Sequence, residues 1–264
     1  LYQQDFFSDL DYAFAASLAK IFNEDDPLVK ASLALVSRFV SLGHICVDLK
    51  ELAAEQELIK DNDSKAVQFP EKDVWLMALE KSSLVSGDMH SPLVLDTGHK
   101  LYFSRYFDFQ HRLIINIARR LKANISPIDI SLVDQMLKVY FTDKADHCKP
   151  QKLAIGNAVS KPFTIISGGP GTGKTFVIQL IRQILTEHAQ KAGWHKLRIL
   201  CLAPTGKAAA KMEGGKTIHS ALKPLKEGHK FYHNKDNPLY YDIVTIDEAS
   251  MIDLPLFVDR KSVV

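Results

Sequence analysis

Apolar residues recur at spacings of three and four through the first part of the chain, the period of a helix face. Phe6, Phe7, Leu10, Phe14, Leu18, Ile21 and Phe22 form one such stripe, which reads as core. Pro27 suits the start of a second helix, with Leu28, Leu33, Leu35, Val36, Phe39 and Val40 apolar and Gly43 as its stop. His44 to Leu49 is a short extended piece, and Asp61 to Lys65 a polar loop. Pro70 to Asp73 opens another helix that carries Val74, Leu76, Met77 and Leu79. Pro92 to Phe103 reads as a β-hairpin turning at Asp96-Thr97-Gly98. A longer helix follows, with Phe107, Leu113, Ile114, Ile117 and Leu121 on one side and Arg112, Arg119, Arg120 and Lys122 on the other. The basic pair Arg119-Arg120 reads as a solvated face. Residues 127 to 141 make one more helix, and the polar connector Asp143 to Lys149 is closed by Pro150.

From Gln151 onward the pattern changes to short apolar strands alternating with helices, as in a domain with a parallel sheet. Phe163-Thr164-Ile165-Ile166 reads as a buried strand and Phe176 to Leu185 as a helix. Between them Gly168, Gly173, Lys174 and Thr175 fit G-x-x-x-x-G-K-[ST], the phosphate-binding P-loop pattern. Glycines let the backbone turn tightly and aim its N–H groups at phosphates, beside the positive end of a helix dipole. Lys174 is placed for the β- and γ-phosphates, and the Thr175 hydroxyl for Mg²⁺. The bland alternative is a chance glycine-rich turn.

Lys196 to Leu202 reads as a second strand, ending in Ala203-Pro204-Thr205-Gly206-Lys207, where Thr205 and a helix start suit a phosphate. Lys207 and Lys211 are expected on one helical face. Gly214 to Ser220, taken alone, reads as a loop with a helix cap. A third strand, Ile243 to Ile246, ends in Asp247 and Glu248. Carboxylates at a buried strand end need a cation or partner, so Asp247 suits Mg²⁺ through water and Glu248 suits a general base. An acidic helix cap is the alternative there. Strands ending at Gly168, Ala203 and Asp247 are expected to set three loops on one edge of one sheet.

Composition alters this picture little. The chain has 264 residues, 46% hydrophobic and 24% charged, an ordinary globular mix. A net charge of +2 supplies little bulk attraction for nucleic acid, so any such contact must rest on local clusters. Cys46, Cys148 and Cys201 lack metal or redox spacing and read as free thiols in a reducing cytoplasm. No apolar run approaches the ~20 residues of a membrane span. Asp5, Asp9 and Asp11 interrupt any leader-like stretch, and a start at Leu1 suggests a trimmed chain.

Together these stretches resemble the superfamily 1 helicases and, within them, the RecD family, the alpha subunit of exodeoxyribonuclease V in the RecBCD complex. The resemblance rests on Ile166 to Thr175, Ala203 to Ala209, Thr217-Ile218-His219 and Asp247 to Asp253, in the order of motifs I, Ia, Ib and II. It extends more weakly to Gly43 to Val47 and Leu93 to Phe103. It implies a mostly helical docking domain over 1–115 and a partial RecA-like P-loop domain over 116–264, α/β with a parallel sheet. It also implies an ATP-driven 5′→3′ motor on single-stranded DNA with RecB-like and RecC-like subunits, in double-strand break repair. By resemblance Gln151 reads the adenine base. Lys174, Asp247 and Glu248 are catalytic. Gly168, Gly169, Pro170, Gly171, Thr172, Gly173, Lys174 and Thr175 hold ATP, with Thr175 and Asp247 on Mg²⁺. Pro204, Thr205, Lys207, Thr217 and His219 line the DNA path.

The tail from Val258 to Val264 departs from the family pattern, and no later motif follows Asp253. A truncated product that binds nucleotide and hydrolyses little alone is therefore expected. Two alternatives remain: a non-catalytic docking subunit acting through the first domain, or another P-loop ATPase.

Overall fold

A computed structural model describes residues 6–54, 69–87, 90–141, 148–225, 231–234 and 236–261. The polar loop expected at 61–65 and most of the connector from Asp143 lie outside these residues. The chain divides into two compact units, Leu1–His111 and Arg112–Val264.

In the first unit α1 (Asp9–Phe22) packs on α2 (Pro27–Ser41). Ser8 caps α1 reciprocally: its hydroxyl accepts from the Asp11 N–H, and Asp11 accepts from the Ser8 N–H at 3.0 Å. Asp11, Ala15 and Ala19 are the buried face, whereas Leu10 is 73% exposed and Ile21 70%. The aromatic stripe is thus not the buried face throughout. Small alanines let the helices approach closely, and Asp11 is tolerated inside because Ser37 Oγ donates to it at 2.5 Å. Burial pushes the Asp11 carboxyl up, but the hydrogen bonds from Ser37 and Ser8 outweigh it and hold it below the usual range.

Pro27 is at the first turn of α2, and Gly43, with φ +91, follows its end. After α3 (Leu49–Ala54), α4 (Lys72–Lys81) buries Trp75, whose indole donates to the buried Ser32 hydroxyl at 2.7 Å. The apolar Val74 and Met77 face solvent instead. A small sheet runs β1-β4-β3-β2, with β1 Val47–Asp48, β2 Val85–Ser86, β3 Leu93–Leu95 and β4 Lys100–Phe103. The expected hairpin forms with Leu93 opposite Phe103 and Leu95 opposite Leu101. Its turn reaches one residue further, to His99 at φ +61, because Asp96 accepts from the Gly98 and Lys100 N–H groups. Helix α5 (Ser104–Leu121) carries the chain from one unit into the other.

The second unit holds two kinds of core. One is helical: α6 (Ile130–Tyr140), α7 (Lys149–Ser160) and α8 (Lys174–Lys191) bury Leu132, Ile155, Leu180 and Ile184. The other surrounds a parallel sheet in the order β6-β5-β7, with β5 Ile199–Ala203, β6 Lys216–Thr217 and β7 Ile243–Ile246. Helices α9 (Gly206–Ala209), α10 (Ile218–Leu222) and α11 (Leu254–Lys261) connect or follow these strands. The domain is therefore α/β with a parallel sheet, and it follows a mostly helical part in sequence.

The strand expected at Phe163 to Ile166 does not form. Pro162 removes a donor just before it, and strand-like composition alone does not supply a pairing partner. Thr164 Oγ1 donates to the Asn157 carbonyl of α7, Ile166 packs on the helical core, and Ile165 is 77% exposed. Only two of the three expected strands, β5 and β7, therefore share a sheet.

Candidate nucleotide and nucleic-acid site

The first group of predicted residues gathers where α7 and α8 begin. Gly171 and Gly173 have φ of +73 and +80, conformations that side chains other than hydrogen resist. A Cβ on Gly168 would meet Thr172 Oγ1 at 2.9 Å, and one on Gly173 would meet Gln151 Nε2 at 2.9 Å. A Cβ at either end would thus require Thr172 or Gln151 to move. Thr172 Oγ1 donates to the Gly169 carbonyl at 2.9 Å. Lys174 Nζ donates to the carbonyls of Gly168 and Gly169, both at 2.7 Å, so its ammonium sits against the loop's own oxygens. No side chain caps α8 at Gly173, which leaves N–H groups at the start of an 18-residue helix for an anion.

Gln151, in the first turn of α7, donates from Nε2 to the Thr172 carbonyl at 2.8 Å. Only the NH₂ end can donate, so its carbonyl oxygen is left to accept from another group.

The second group lies at one edge of the sheet. β5 and β7 are parallel, with Leu202 opposite Ile246, and the Asp247 N–H donates to the Leu202 carbonyl at 2.9 Å. β6 is parallel to β5 on its other side, with Thr217 opposite Ala203. The turns at Pro204-Thr205, Thr217 and Asp247-Glu248 therefore leave the same edge. Thr205 Oγ1 accepts from the Ala208 N–H and Thr217 Oγ1 from the Ser220 N–H, both at 3.2 Å, so both threonines cap short helices. Helix α9 has four residues, too few for much of a dipole. A phosphate contact at this edge must then rest on side chains, of which Lys207 and His219 are exposed.

Asp247 and Glu248 are half-buried. Asp247 Oδ1 accepts from the Glu248 N–H at 2.8 Å, and Glu248 takes φ +52, a left-handed conformation uncommon outside glycine. Glu248 pairs with Lys211 Nζ at 3.9 Å. Lys211 lies beyond the end of α9, so it does not share a helical face with Lys207 as expected; it reaches the acidic pair instead. That role has no local signal, because the sheet alone brings residues 211 and 248 together.

Among the described residues no hydrogen bond or ion pair joins the group around Lys174 to the group around Asp247, and no cluster of three or more metal-ligating side chains occurs. Mg²⁺ bound with a nucleotide needs only one or two protein oxygens beside the phosphates, and the Thr175 hydroxyl and the Asp247 carboxylate are of that kind.

Comparison with known proteins follows the same division. Residues 3–102 match the family described as "RecBCD enzyme subunit RecD, N-terminal domain", and residues 151–259 match one described as "AAA domain". The chain is similar to the "RecBCD enzyme subunit RecD" of Mycolicibacterium smegmatis, 28% identical over 93% of this chain and 45% of that protein. It is similar to that of Haemophilus influenzae, 29% identical over 81% and 37%. The "ATP-dependent RecD2 DNA helicase" of Deinococcus radiodurans is 33% identical over 34% of this chain and 12% of its own length. The chain spans less than half the length of these curated relatives. No helix among the described residues is long and apolar enough to cross a membrane.

Proposed function

Because the chain belongs to the RecD family, we propose that it carries the nucleotide-binding part of an ATP-driven 5′→3′ motor on single-stranded DNA, acting with RecB-like and RecC-like subunits in cytoplasmic double-strand break repair. The observation that carries this reading is the glycine loop at the start of α8, with Gly171 and Gly173 at positive φ and its carbonyls holding the Lys174 ammonium.

When bound, Mg²⁺·ATP supplies an electrophilic phosphorus. Lys174 exchanges its loop carbonyls for phosphate oxygens and offsets their charge. Gln151 would present its free carbonyl oxygen to the adenine 6-amino group, and Thr175 and Asp247 would hold the metal. Glu248 would accept a proton as water attacks the γ-phosphorus and the bond to the β–γ bridging oxygen breaks, leaving ADP and phosphate. Pro204, Thr205, Lys207, Thr217 and His219 follow the strand along the sheet edge. Leu10 and Ile21, exposed on α1, are the kind of apolar surface that a protein partner covers.

The test is binding of a fluorescent ATP analogue with and without Mg²⁺, in the wild type and in Lys174→Gln. Mg²⁺-dependent binding that is lost in the variant supports the reading. Equal affinity in the two proteins removes the loop from nucleotide binding and the reading with it.

A further inference from the structure

After α10 the chain folds back on itself. Lys223, at φ +56, donates its N–H to the His219 carbonyl at 3.0 Å and accepts at its own carbonyl from the Tyr232 N–H at 2.9 Å. The His233 N–H donates to the Leu222 carbonyl at 3.2 Å, and Pro224 pairs with Phe231 in an antiparallel bridge. This ladder pins the returning segment to the end of α10.

Two aromatic neighbours on that segment have opposite fates. Phe231 packs on the core around β5, β7 and α10, with its ring 6.0 Å from that of His219. Tyr232, one position on, is 52% exposed. With Phe231 packed inward, Tyr232 is left facing outward. The Tyr232 ring lies edge-on to His233 at 5.0 Å, and Lys223 Nζ is 5.6 Å from its centroid. His219 and Lys223 are exposed beside it. Core packing needs neither the ring nor the ammonium here. An exposed ring with a cation over one face can grip single-stranded nucleic acid: a base stacks on the face that the ammonium leaves open, and the ammonium meets a backbone phosphate.

We propose that Tyr232 and Lys223 form a nucleobase-stacking step for single-stranded nucleic acid, continuous with His219. The proposal rests on the single-stranded DNA reading above and adds a contact that the motif residues do not include.

Binding of a fluorescein-labelled deoxythymidine oligomer, followed by anisotropy in the wild type and variants, tests it. Stacking of one base predicts that Tyr232→Ala weakens binding about 5- to 150-fold, while Tyr232→Phe, which keeps the ring, binds like the wild type. Lys223→Gln is expected to lower the slope of log affinity against log salt by about 0.7, the loss of one phosphate contact. An oligomer bearing 5-iodouracil, irradiated on the wild-type protein, is expected to crosslink to Tyr232, a result that no unfolded variant can mimic. If Tyr232→Ala binds normally while Thr217→Ala is weakened, or if crosslinks fall only elsewhere, the stacking step is wrong and the DNA reading stands. If the wild type binds no oligomer, both fall.

Discussion

Gln151 Nε2 reaches the Thr172 carbonyl at 2.8 Å and ties the first turn of α7 to the glycine loop. The same nitrogen is the atom that a Cβ on Gly173 would strike at 2.9 Å. Gln151 therefore does two things: it braces the loop, and it points its acceptor oxygen away from the brace.

Gln151→Ala removes one neutral hydrogen bond, worth about 0.5–1.5 kcal/mol net, so nucleotide affinity is expected to fall about twofold to tenfold. The amide's free oxygen favours adenine's 6-amino group, and guanine carries a carbonyl at that position, so ATP should lose more than GTP. Competition of each nucleotide against a fluorescent analogue measures both. Equal losses for ATP and GTP would leave the brace intact as an idea and remove the base-reading role.

Two glycines give a paired stability test. Gly173→Ala must hold a side chain at φ +80 and displace Gln151, and the left-handed conformation alone costs about 1–2 kcal/mol. Gly156 sits inside α7 with open space around its Cβ, so Gly156→Ala is expected to stabilise by up to about 1 kcal/mol. Urea titration of the two variants should move in opposite directions. A neutral Gly173→Ala would mean that the loop relaxes freely.

Much of this fold is legible in residue patterns, and the exceptions share a cause. Pro27 and Gly43 bracket α2, and Asp96 and Gly98 turn the hairpin, because those signals act within a few residues. The turns after β5 and β7 share an edge, as two apolar strands each ending in a polar loop imply. Phe163 to Ile166 has strand-like composition, yet composition cannot supply a pairing partner. The buried face of α1 eluded the apolar period because Ala15 and Ala19 are small and Asp11 is satisfied by Ser37, 26 residues away. Trp75 lies between two apolar neighbours, and only tertiary packing selects it for burial. The left-handed Glu248 and its pairing with Lys211 likewise exist only once β7 lies against β5.

Glu248 holds a conformation that glycine adopts at little cost, so Glu248→Gly relieves strain. The Lys211 partner is exposed and 3.9 Å away, an ion pair worth at most about 1 kcal/mol. The variant is therefore expected to be as stable as the wild type or up to about 1 kcal/mol more stable. Nucleotide binding should persist, and the small hydrolysis expected of the wild-type chain should fall to background, since the proton acceptor is gone. Thermal melting paired with a phosphate-release assay checks both, and a markedly destabilised variant would show that the conformation is not strained.

At the opposite ends of the same strands, Arg198 clasps Asp242. The Arg198 N–H donates to Asp242 Oδ2 at 2.8 Å, the guanidinium reaches Oδ1 at 3.1 Å, and His195 Nε2 lies 3.4 Å from Oδ2. These bonds, the Arg198 side chain first, hold the Asp242 carboxyl well below the usual carboxylate range. A carboxyl depressed in the folded state leaves the unfolded chain to take up its proton first as pH falls. The contribution to stability is thus complete above the ordinary Asp value of about 4 and shrinks as pH drops below it towards the folded value. Asp242→Asn keeps the shape of the side chain and removes the charge. Wild type should exceed it in melting temperature by a constant margin from pH 5 to 8, and the margin should narrow below about pH 4. Raising salt at neutral pH should also reduce the margin, because the Arg198 side chain is largely open to water. A margin that stayed constant down to pH 2 would assign the clamp's effect to hydrogen-bond geometry alone, with no part for the charge.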